Sequence, residues 1–390
     1  MESSADVTSQ ADETKQVPEF RRIWIGGTSG LARTYYNAFQ SAKTPGRDQY
    51  EPSNEPWLLL GHQSKAPAWI SHFDSLYYRQ VDFLNPDLDA WRKVLECKSI
   101  GDLSQVVISI RPPLVAHHSF NRAAEMHKRM IDGFRMFLEI LLDVMKIDEK
   151  EKDLPWLKVH IVHASSIAAI DHVQEQRLRS EASLPDPPSS SLFHPYDRFK
   201  RRCEEVLDEL VPQYKQLHVT HVRLGAFFSD DPYCIQCSAL ALQAHVGFDL
   251  PTRIDCNSAR NVAVLLRAIL DKEVPAQAIR YFYYTRPLSF STPVPYSAYL
   301  VAYRRAHHIL IDLWLPLVLL DWIIRFVSSL AEFWPSFPFV QSLDYLLQVT
   351  RREHTFDLSL VGAAYPTVVA QEETIFKCFD RRSYYLREDF

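Results

Sequence analysis

The chain has 390 residues, a formal net charge of −5 and a pI near 6.3. That length can bury a large core, either as one large domain or as one domain with an extension. The slightly acidic balance provides no basic field, so no nucleic-acid partner is expected. Six scattered cysteines, with no secretory signal, predict a reducing, cytoplasmic environment and no disulfide framework.

The first 19 residues are polar and acidic and contain no apolar run, which predicts a disordered N-terminal tail. The chain changes character at Phe20. We predict a dinucleotide-binding domain of Rossmann type over residues 20–235. A smaller substrate-binding region, interleaved with the sheet, is predicted over residues 236–390.

A short apolar strand at 23–25 runs directly into a glycine-rich turn, and a helix follows through Phe39. This order is typical of dinucleotide sites, because glycines let the backbone approach the pyrophosphate and the N–H groups at the helix start face it. A glycine turn after a strand can also be a turn and nothing more. The predicted cofactor contacts are Gly26, Thr28, Ser29, Gly30 and Leu31.

The second predicted strand, 57–60, is followed by Gly61. NAD-selective proteins carry an acid at this place, and that acid bonds the ribose hydroxyls. Here no carboxylate stands ready to repel a 2′-phosphate, and His62 and Lys65 follow. The sequence therefore favours NADP over NAD, with His62 as a predicted cofactor contact.

Asp82 follows the third predicted strand, 77–81. Its carboxylate is predicted to bond the adenine amino group of the cofactor. The alternative is a turn residue at a strand end, which is a common position for aspartate. Both interpretations stay open.

Apolar strands continue to alternate with helical segments. Residues 106–110, 159–164 and 218–224 are short apolar runs, and residues 123–145 carry apolar side chains at helical spacing. The alternation predicts βαβ units and therefore an α/β fold with a doubly wound parallel sheet, covered by helices on both faces. The C-terminal substrate region is expected to be mainly helical.

Tyr196 and Lys200 lie four residues apart at the start of a predicted helix, so the phenol and the ammonium share one helix face. Ser166 follows the fifth strand at its carboxyl end, the edge at which open α/β sheets bind ligands. We predict that Tyr196 exchanges the proton of a substrate alcohol and that Ser166 hydrogen-bonds the substrate oxygen. Lys200 is predicted to stabilise the phenolate and to hold the nicotinamide ribose.

Two further stretches have open interpretations. Residues 181–195 contain a cluster of prolines and serines between Ser166 and Tyr196, and they form either a lid over the site or a solvated connection. Cys234 and Cys237 form a lone CxxC pattern. Without a second Cys or His pair this is a weak metal signal, so no metal site is predicted.

Residues 309–333 are mostly apolar, but Asp312, Asp321, Arg325 and Glu332 interrupt them, so a transmembrane span is not expected. Three interpretations compete. The segment is a core helix of the substrate region, a wall of an apolar substrate pocket, or a peripheral contact with an intracellular membrane.

From about Ile23 to its C-terminus the chain resembles the extended short-chain dehydrogenases/reductases, specifically the 3β-hydroxysteroid dehydrogenase/isomerase family. The stretches that carry the likeness are 162–168 at the serine strand, 195–200 with Glu204 or Glu205 at the Tyr/Lys helix, 221–226, 261–263, 281–290, 355–357, 364–366 and 372–373. The resemblance implies a nicotinamide cofactor and interconversion of a ring secondary alcohol with its ketone. Some relatives also shift a double bond, and relatives carry a hydrophobic segment near 309–333.

The chain departs from this pattern at Ala32 and Gly61, and at 109–112, where the family usually has a small, alanine-rich turn. These departures concern the type of cofactor more than the class of reaction. Arg111 contacts a cofactor phosphate, caps a helix or narrows the site, and the sequence does not choose among these roles.

The leading hypothesis is an NAD(P)-dependent oxidoreductase acting on an apolar polycyclic alcohol or ketone, such as a steroid or terpenoid. The alternative is a non-redox isomerase or cyclase on the same scaffold. A dinucleotide-binding sensor would not need the Tyr/Lys pair. A nucleotide-sugar epimerase would need polar groups that the apolar C-terminal region does not supply. A homodimer is compatible with the sequence.

Overall fold

A computed structural model gives the structure of the protein. The residues that it describes are 20–39, 55–95, 104–112, 120–145, 159–170, 186–192, 195–210, 213–214, 217–229, 246–248, 253, 255–272, 280–290, 292–310, 313–334 and 355–380. The predicted tail 1–19 and the cysteine pair Cys234 and Cys237 lie outside these ranges.

A seven-stranded parallel sheet forms the centre of the fold. The strands of the described chain are β1 (Arg22–Ile25), β2 (Trp57–Gly61), β3 (Leu76–Gln80), β4 (Gln105–Ile108), β5 (Val159–Ser166), β6 (Leu217–Leu224), β7 (Ala226–Phe228), β8 (Val246–Phe248), β9 (Cys256–Ser258), β10 (Arg280–Tyr284) and β11 (Leu313–Leu315). The order in the sheet is β3-β2-β1-β4-β5-β6-β10, and two short pairs, β7 with β9 and β8 with β11, lie outside it. The chain reverses direction of travel across the sheet at β1, so the switch point lies between β1 and β4.

Helices cover both faces of this sheet. They are α1 (Gly30–Phe39), α2 (Leu88–Leu95), α3 (Phe120–Val144), α4 (Pro195–Leu210), α5 (Ala259–Asp271), α6 (Tyr296–Ala306), α7 (Leu317–Phe333), α8 (Ser359–Ala364) and α9 (Pro366–Val369). One apolar core packs α2, α3 and α4 on one face around Phe134 and Phe199. A second core packs α1 and α5 on the other face around Tyr35 and Leu265. The predicted α/β architecture of Rossmann type is therefore confirmed.

Burial along the strands explains why short apolar runs in the sequence indicated them. Strands β2 and β6 are buried at every position, as expected for parallel strands covered on both faces. The limits differ from the predicted ones by a few residues: β4 ends at Ile108, and β5 continues through Ser166. Hydrogen bonding to the neighbouring strand sets the ends of each strand. Ser166 belongs to β5 because it pairs with Leu224 of β6, although its side chain is polar.

The C-terminal region has its own apolar cluster. Helices α6 and α7 pack there with residues 375–379, around Phe228, Tyr299 and Phe379. Helix α7 contributes Leu320 and Ile324 to the cluster. This packing fixes one side of α7 against the protein.

The outer side of α7 is exposed and carries several large apolar side chains, with Arg325 and Ser329 also exposed. Trp322 is 70% exposed and Phe326 is 64% exposed, and Val318, Leu319 and Ile323 are exposed beside them. Within the part of the chain that the structure describes, no helix is long and apolar enough to cross a membrane. Helix α7 is therefore partly core and partly exposed surface. Its roles as a wall of a substrate pocket and as a membrane contact stay predictions.

Buried histidines occupy the central strands β5 and β6. His160 Nε2 lies 2.9 Å from Thr220 Oγ1, and His163 Nδ1 lies 2.9 Å from His221 Nδ1. Burial lowers the pKa of His160 to about 4, with a smaller contribution from His218. Burial also lowers the pKa of His163, well below its usual value, together with the nearby His221. The folded protein therefore keeps His160 and His163 neutral.

We expect acid to destabilise the protein through these histidines before it protonates the carboxylates. The stability that neutral His160 provides is fully present above pH 6.5 and is lost as the pH falls towards its folded pKa of about 4. Between pH 7 and pH 5 the free energy of unfolding should fall by roughly 2 kcal/mol from this residue alone. Urea titrations of the wild type and of His160→Gln measure the difference. An equal loss in the two proteins would contradict the assignment.

Candidate active site

The glycine turn lies at the carboxyl edge of the sheet, beside the switch point. The N–H groups of Gly26 and Gly27 donate to the Leu60 carbonyl of β2, at 2.9 and 3.0 Å. Gly26 has a φ of +80°, and a Cβ on it would lie 2.8 Å from the carbonyl oxygen of Ser109. Because both the dihedral angle and the space exclude a side chain, glycine is required at this position.

Ser109, directly after β4, is the hydroxyl that holds this turn. Its Oγ accepts from the indole N–H of Trp24 at 2.7 Å and donates to the Gly26 carbonyl at 3.2 Å. Ser29 Oγ lies 3.1 Å from Ser109 Oγ, and it also caps α1 by accepting from the N–H of Ala32. The stretch 109–112 stood out in the sequence as a departure, but no pattern there indicated that Ser109 anchors the turn.

The predicted cofactor residues of the turn share one edge of the sheet. Gly26, Thr28, Ser29 and Gly30 are partly exposed there. Leu31 is buried, and its side chain packs in the core between α1 and the sheet. A ligand at this edge could therefore meet the backbone of Leu31 but not its side chain.

The end of β2 has no room for an acid in the present arrangement. A Cβ on Gly61 would lie 2.7 Å from Cγ2 and 3.0 Å from Oγ1 of Thr28. The Thr28 side chain thus fills the space that an aspartate would enter. His62 and Lys65 follow in an exposed turn, so an imidazole and an ammonium, and no carboxylate, follow the end of β2.

Asp82, predicted as an adenine contact, has both carboxylate oxygens engaged locally. Oδ1 accepts from the N–H of Leu84 at 3.0 Å, and Oδ2 accepts from Nδ2 of Asn85 at 2.8 Å. These are the contacts of a turn that follows a strand, so the geometry favours the structural interpretation. Arg111 is exposed at the same edge of the sheet.

The three predicted catalytic residues come from adjoining elements. Ser166 is the last residue of β5, and its Oγ accepts from the N–H of Ala168 at 3.2 Å, which caps a short 3-10 turn and leaves the O–H able to donate. Tyr196 is the second residue of α4 and is half-buried. Lys200 is buried one turn later, and its Nζ donates to the carbonyl of Ile110 at 2.8 Å. The ends of β4 and β5 therefore meet the start of α4.

Helix α4 turns a polar stripe towards the sheet. Tyr196, Lys200, Glu204 and Asp208 follow one another at intervals of four residues, so they lie along one face. Asp208 Oδ1 accepts from Nε2 of His221 at 3.0 Å. Beyond the Tyr/Lys pair, the stripe continues with Glu204 and Asp208. Their carboxylates accept hydrogen bonds from side chains of the strands.

Glu204 is the centre of these buried contacts. Its carboxylate accepts from Ser165 Oγ at 2.6 Å and from Arg201 at 2.9 Å, and it also accepts two hydrogen bonds from Arg223. Burial alone would raise the pKa of Glu204, but Arg223 and the hydrogen bonds hold it at about 2. Glu204 is thus ionised at neutral pH, and it ties α4 to the serine-bearing end of β5.

The described part of loop 181–195 is docked onto α4. Glu205 accepts from the N–H and the Oγ of Ser189, at 2.7 and 2.8 Å. Arg201 donates to the Pro187 carbonyl at 3.1 Å. Residues 186–192 are therefore anchored to the helix that carries Tyr196, rather than being a freely solvated connection.

No known protein family and no curated protein matches the sequence. Solved structures match the fold. The UDP-N-acetylglucosamine 4-epimerase from Methanobrevibacter ruminantium M1, in complex with UDP-N-acetylmuramic acid, is 11% identical with a TM-score of 0.58, over 96% of this chain and 100% of that one. The UDP-glucuronic acid 4-epimerase from Bacillus cereus, in complex with UDP-glucuronic acid and NAD, is 12% identical with a TM-score of 0.57, over 95% and 99%.

The terminal R domain from the myxalamid PKS-NRPS biosynthetic pathway is 13% identical with a TM-score of 0.62, over 95% of this chain and 91% of that one. At such identities the likeness shows a Rossmann-type fold and does not assign a chemistry to the site.

Gly26→Ala should destabilise the protein by about 2 kcal/mol or more, because the new Cβ meets backbone atoms of Ser109 at a positive φ. Gly362→Ala is the matched control, since the atom nearest to its Cβ would be a leucine methyl at 3.8 Å. Thermal and urea unfolding of the two variants measure the difference. Equal stability of the two variants would show that the turn does not require glycine.

Proposed function

We propose that the protein is an NAD(P)-dependent oxidoreductase of the extended short-chain dehydrogenase/reductase type that interconverts a secondary alcohol and a ketone. One observation supports the proposal. Helix α4, which carries Tyr196 and Lys200 in its first two turns, packs against the short turn that directly follows Ser166, and a glycine turn lies at the switch point of the same sheet. Ligands bind at that edge in open α/β sheets.

The side chains divide the proton chemistry among them. Ser166 donates its O–H to the substrate oxygen and orients it. Tyr196 accepts the alcohol proton in the direction of oxidation and returns it in the direction of reduction. The contact of Lys200 with Ile110 uses one of three N–H donors, which leaves two for the phenolate and for ribose hydroxyls. When bound, the nicotinamide supplies or accepts the hydride.

The glycine turn fits a dinucleotide. At Gly26 the backbone comes so close to Ser109 that a Cβ would be excluded, and helix α1 begins four residues later with its N–H groups at the sheet edge. We propose NADP as the preferred cofactor and NAD as the weaker one. Thr28 fills the place of a ribose-binding acid, and His62 and Lys65 lie exposed just beyond it.

We propose an apolar polycyclic substrate of steroid or terpenoid type. The support comes from the C-terminal region, where an aromatic cluster around Tyr299 and Phe379 packs beneath α7. Helix α7 also presents exposed Trp322 and Phe326. An apolar substrate partitions into membranes, so a helix of this kind suits an enzyme that meets its substrate at a membrane surface.

Tyr196→Phe should lower kcat at least about 100-fold, because it removes the acid–base group. Its affinity for NADPH should stay within about twofold of the wild type, since the phenol does not hold the dinucleotide. Nicotinamide absorbance, followed with a panel of 3-hydroxy and 3-keto steroids and terpenoids and with NADPH or NADH, measures turnover. Tyr214→Phe, just beyond α4, is the matched control.

The outcomes separate the competing functions. Redox turnover that survives in Tyr196→Phe would refute the role of the phenol. Product formation without any nicotinamide would favour the non-redox isomerase or cyclase. Conversion of a UDP-sugar without net change in nicotinamide absorbance would favour an epimerase, the activity named for two of the matching structures.

We also propose that the exposed side of α7 touches an intracellular membrane peripherally. In flotation assays the wild type should bind phosphatidylcholine vesicles, and Trp322→Glu with Phe326→Glu should lower the bound fraction at least about fivefold, because each charge opposes insertion. Phe376→Glu is the matched control, since this aromatic residue is exposed but does not belong to α7. Equal binding of all three proteins would contradict the proposal, and loss of a dimer in the double variant would assign the face to a second copy of the chain.

A further inference from the structure

Arg223 is a buried cation near the end of the fully buried strand β6. It is the second-last residue of β6 and has no exposed surface. A guanidinium has five N–H donors, and the contacts of Arg223 use all of them. Nε and Nη2 donate to Glu204 at 3.0 and 2.6 Å, Nη1 and Nη2 donate to Asp186, and Nη1 also donates to the Tyr283 hydroxyl at 3.1 Å.

These contacts join segments that are far apart in the sequence. Glu204 belongs to α4, Asp186 to the described part of the loop that precedes it, and Tyr283 to β10. In the sheet, Arg223 lies beside Ser165 of β5. One guanidinium therefore touches the helix of the Tyr/Lys pair, the loop that leads into that helix and the neighbouring strand β10.

The serine strand is connected to the same carboxylate. Ser165 Oγ donates to Glu204 Oε1 at 2.6 Å, and Arg223 Nε donates to the same oxygen at 3.0 Å. Ser165 is the residue directly before Ser166. Because Ser166 ends β5 while Tyr196 and Lys200 begin α4, the distance between them depends on how β5 and α4 are joined, and Glu204 is the polar junction.

The charges in this cluster balance. Glu204 and Asp186 provide two negative charges, and Arg223 and Arg201 provide two positive ones. A buried ion pair of this kind is a weak source of stability, since an apolar pair of the same volume often stabilises as well. Its directional, bidentate hydrogen bonds do something that apolar packing does not, because they fix one relative position of the segments.

We propose that Arg223 is a positioning residue for the reaction. Its bidentate hydrogen bonds to Glu204 and Asp186 set the distance between Ser166 and the Tyr196/Lys200 pair. The inference rests on the proposed oxidoreductase function. It assigns no contact between Arg223 and the substrate. Misplacement of a catalytic group by about 1 Å costs about 100-fold in rate. A variant that weakens the hydrogen bonds of Arg223 should therefore have a lower kcat while it still folds.

Arg223→Lys tests the role of the hydrogen-bond geometry. Lysine keeps the buried positive charge but lacks the planar guanidinium that donates two hydrogen bonds to one carboxylate. We expect kcat to fall about 100-fold, while the KM and the affinity for NADPH stay within about threefold and thermal unfolding stays cooperative. Arg202→Lys is the matched control. Arg202 lies on α4 and, like Arg223, donates to two carboxylates, Glu205 and Glu209. It makes no described contact with the serine strand, so the kcat of Arg202→Lys should equal that of the wild type.

Asp186→Asn is the second variant. Asp186 is partly exposed, and removal of its negative charge leaves the ion pair between Arg223 and Glu204 in place. We expect about a tenfold lower kcat and faster amide hydrogen exchange in residues 186–192. Millimolar guanidinium should restore part of the activity of Arg223→Ala, which a general loss of stability would not allow.

The outcomes are distinguishable. A folded Arg223→Lys with wild-type kcat would overturn the positioning role. If that variant does not fold, wild-type kcat in Asp186→Asn overturns it instead. If the wild-type chain transfers no hydride to any member of the substrate panel while it binds NADPH, the proposed function itself has failed and the inference falls with it.

Discussion

The ion pair between Glu204 and Arg223 determines how the two halves of the candidate site meet. Glu204 sits on the face of α4 that carries Tyr196 and Lys200, and Arg223 sits beside Ser165 in the sheet. A charged pair without exposure to water must be fully hydrogen-bonded, or it would not survive burial. Since every donor of Arg223 is used, the helix, the serine strand and the loop before the helix can adopt few other relative positions.

The cofactor side of the site depends on a different close contact, and the two are linked through β4. Gly26 packs against the backbone of Ser109, and the next residue, Ile110, provides the carbonyl that receives Lys200. The end of β4 thus supports the glycine turn on one side and the ammonium of Lys200 on the other. This explains why a stretch without an evident chemical motif, 109–112, has a central place in the structure.

Much of the fold could be predicted because burial on both faces produces continuous apolar runs, and these runs alternate with helical periodicity. The positions of Ser166 and Tyr196 could be predicted because they lie at the end of a strand and at the start of a helix, and that of Lys200 because it follows Tyr196 by one helical turn. The roles of Ser109, Asp186 and Arg223 could not be predicted, since each depends on partners 19 to 85 positions away. A four-residue repeat of polar groups along α4 was present in the sequence and could have indicated Glu204 as their buried continuation.

The amino-acid sequence by itself determined the class of fold, the glycine turn, the order of the candidate catalytic residues and the absence of an acid after the second strand, because these are local properties of spacing and residue type. Only the tertiary structure decided that both carboxylate oxygens of Asp82 bond within a turn, that Thr28 fills the space beside Gly61, and that α7 is buried on one side and exposes several large apolar side chains on the other. These outcomes depend on which surfaces meet after folding. A pattern along the chain gives the face of an element, but the packing of neighbouring elements decides what that face touches.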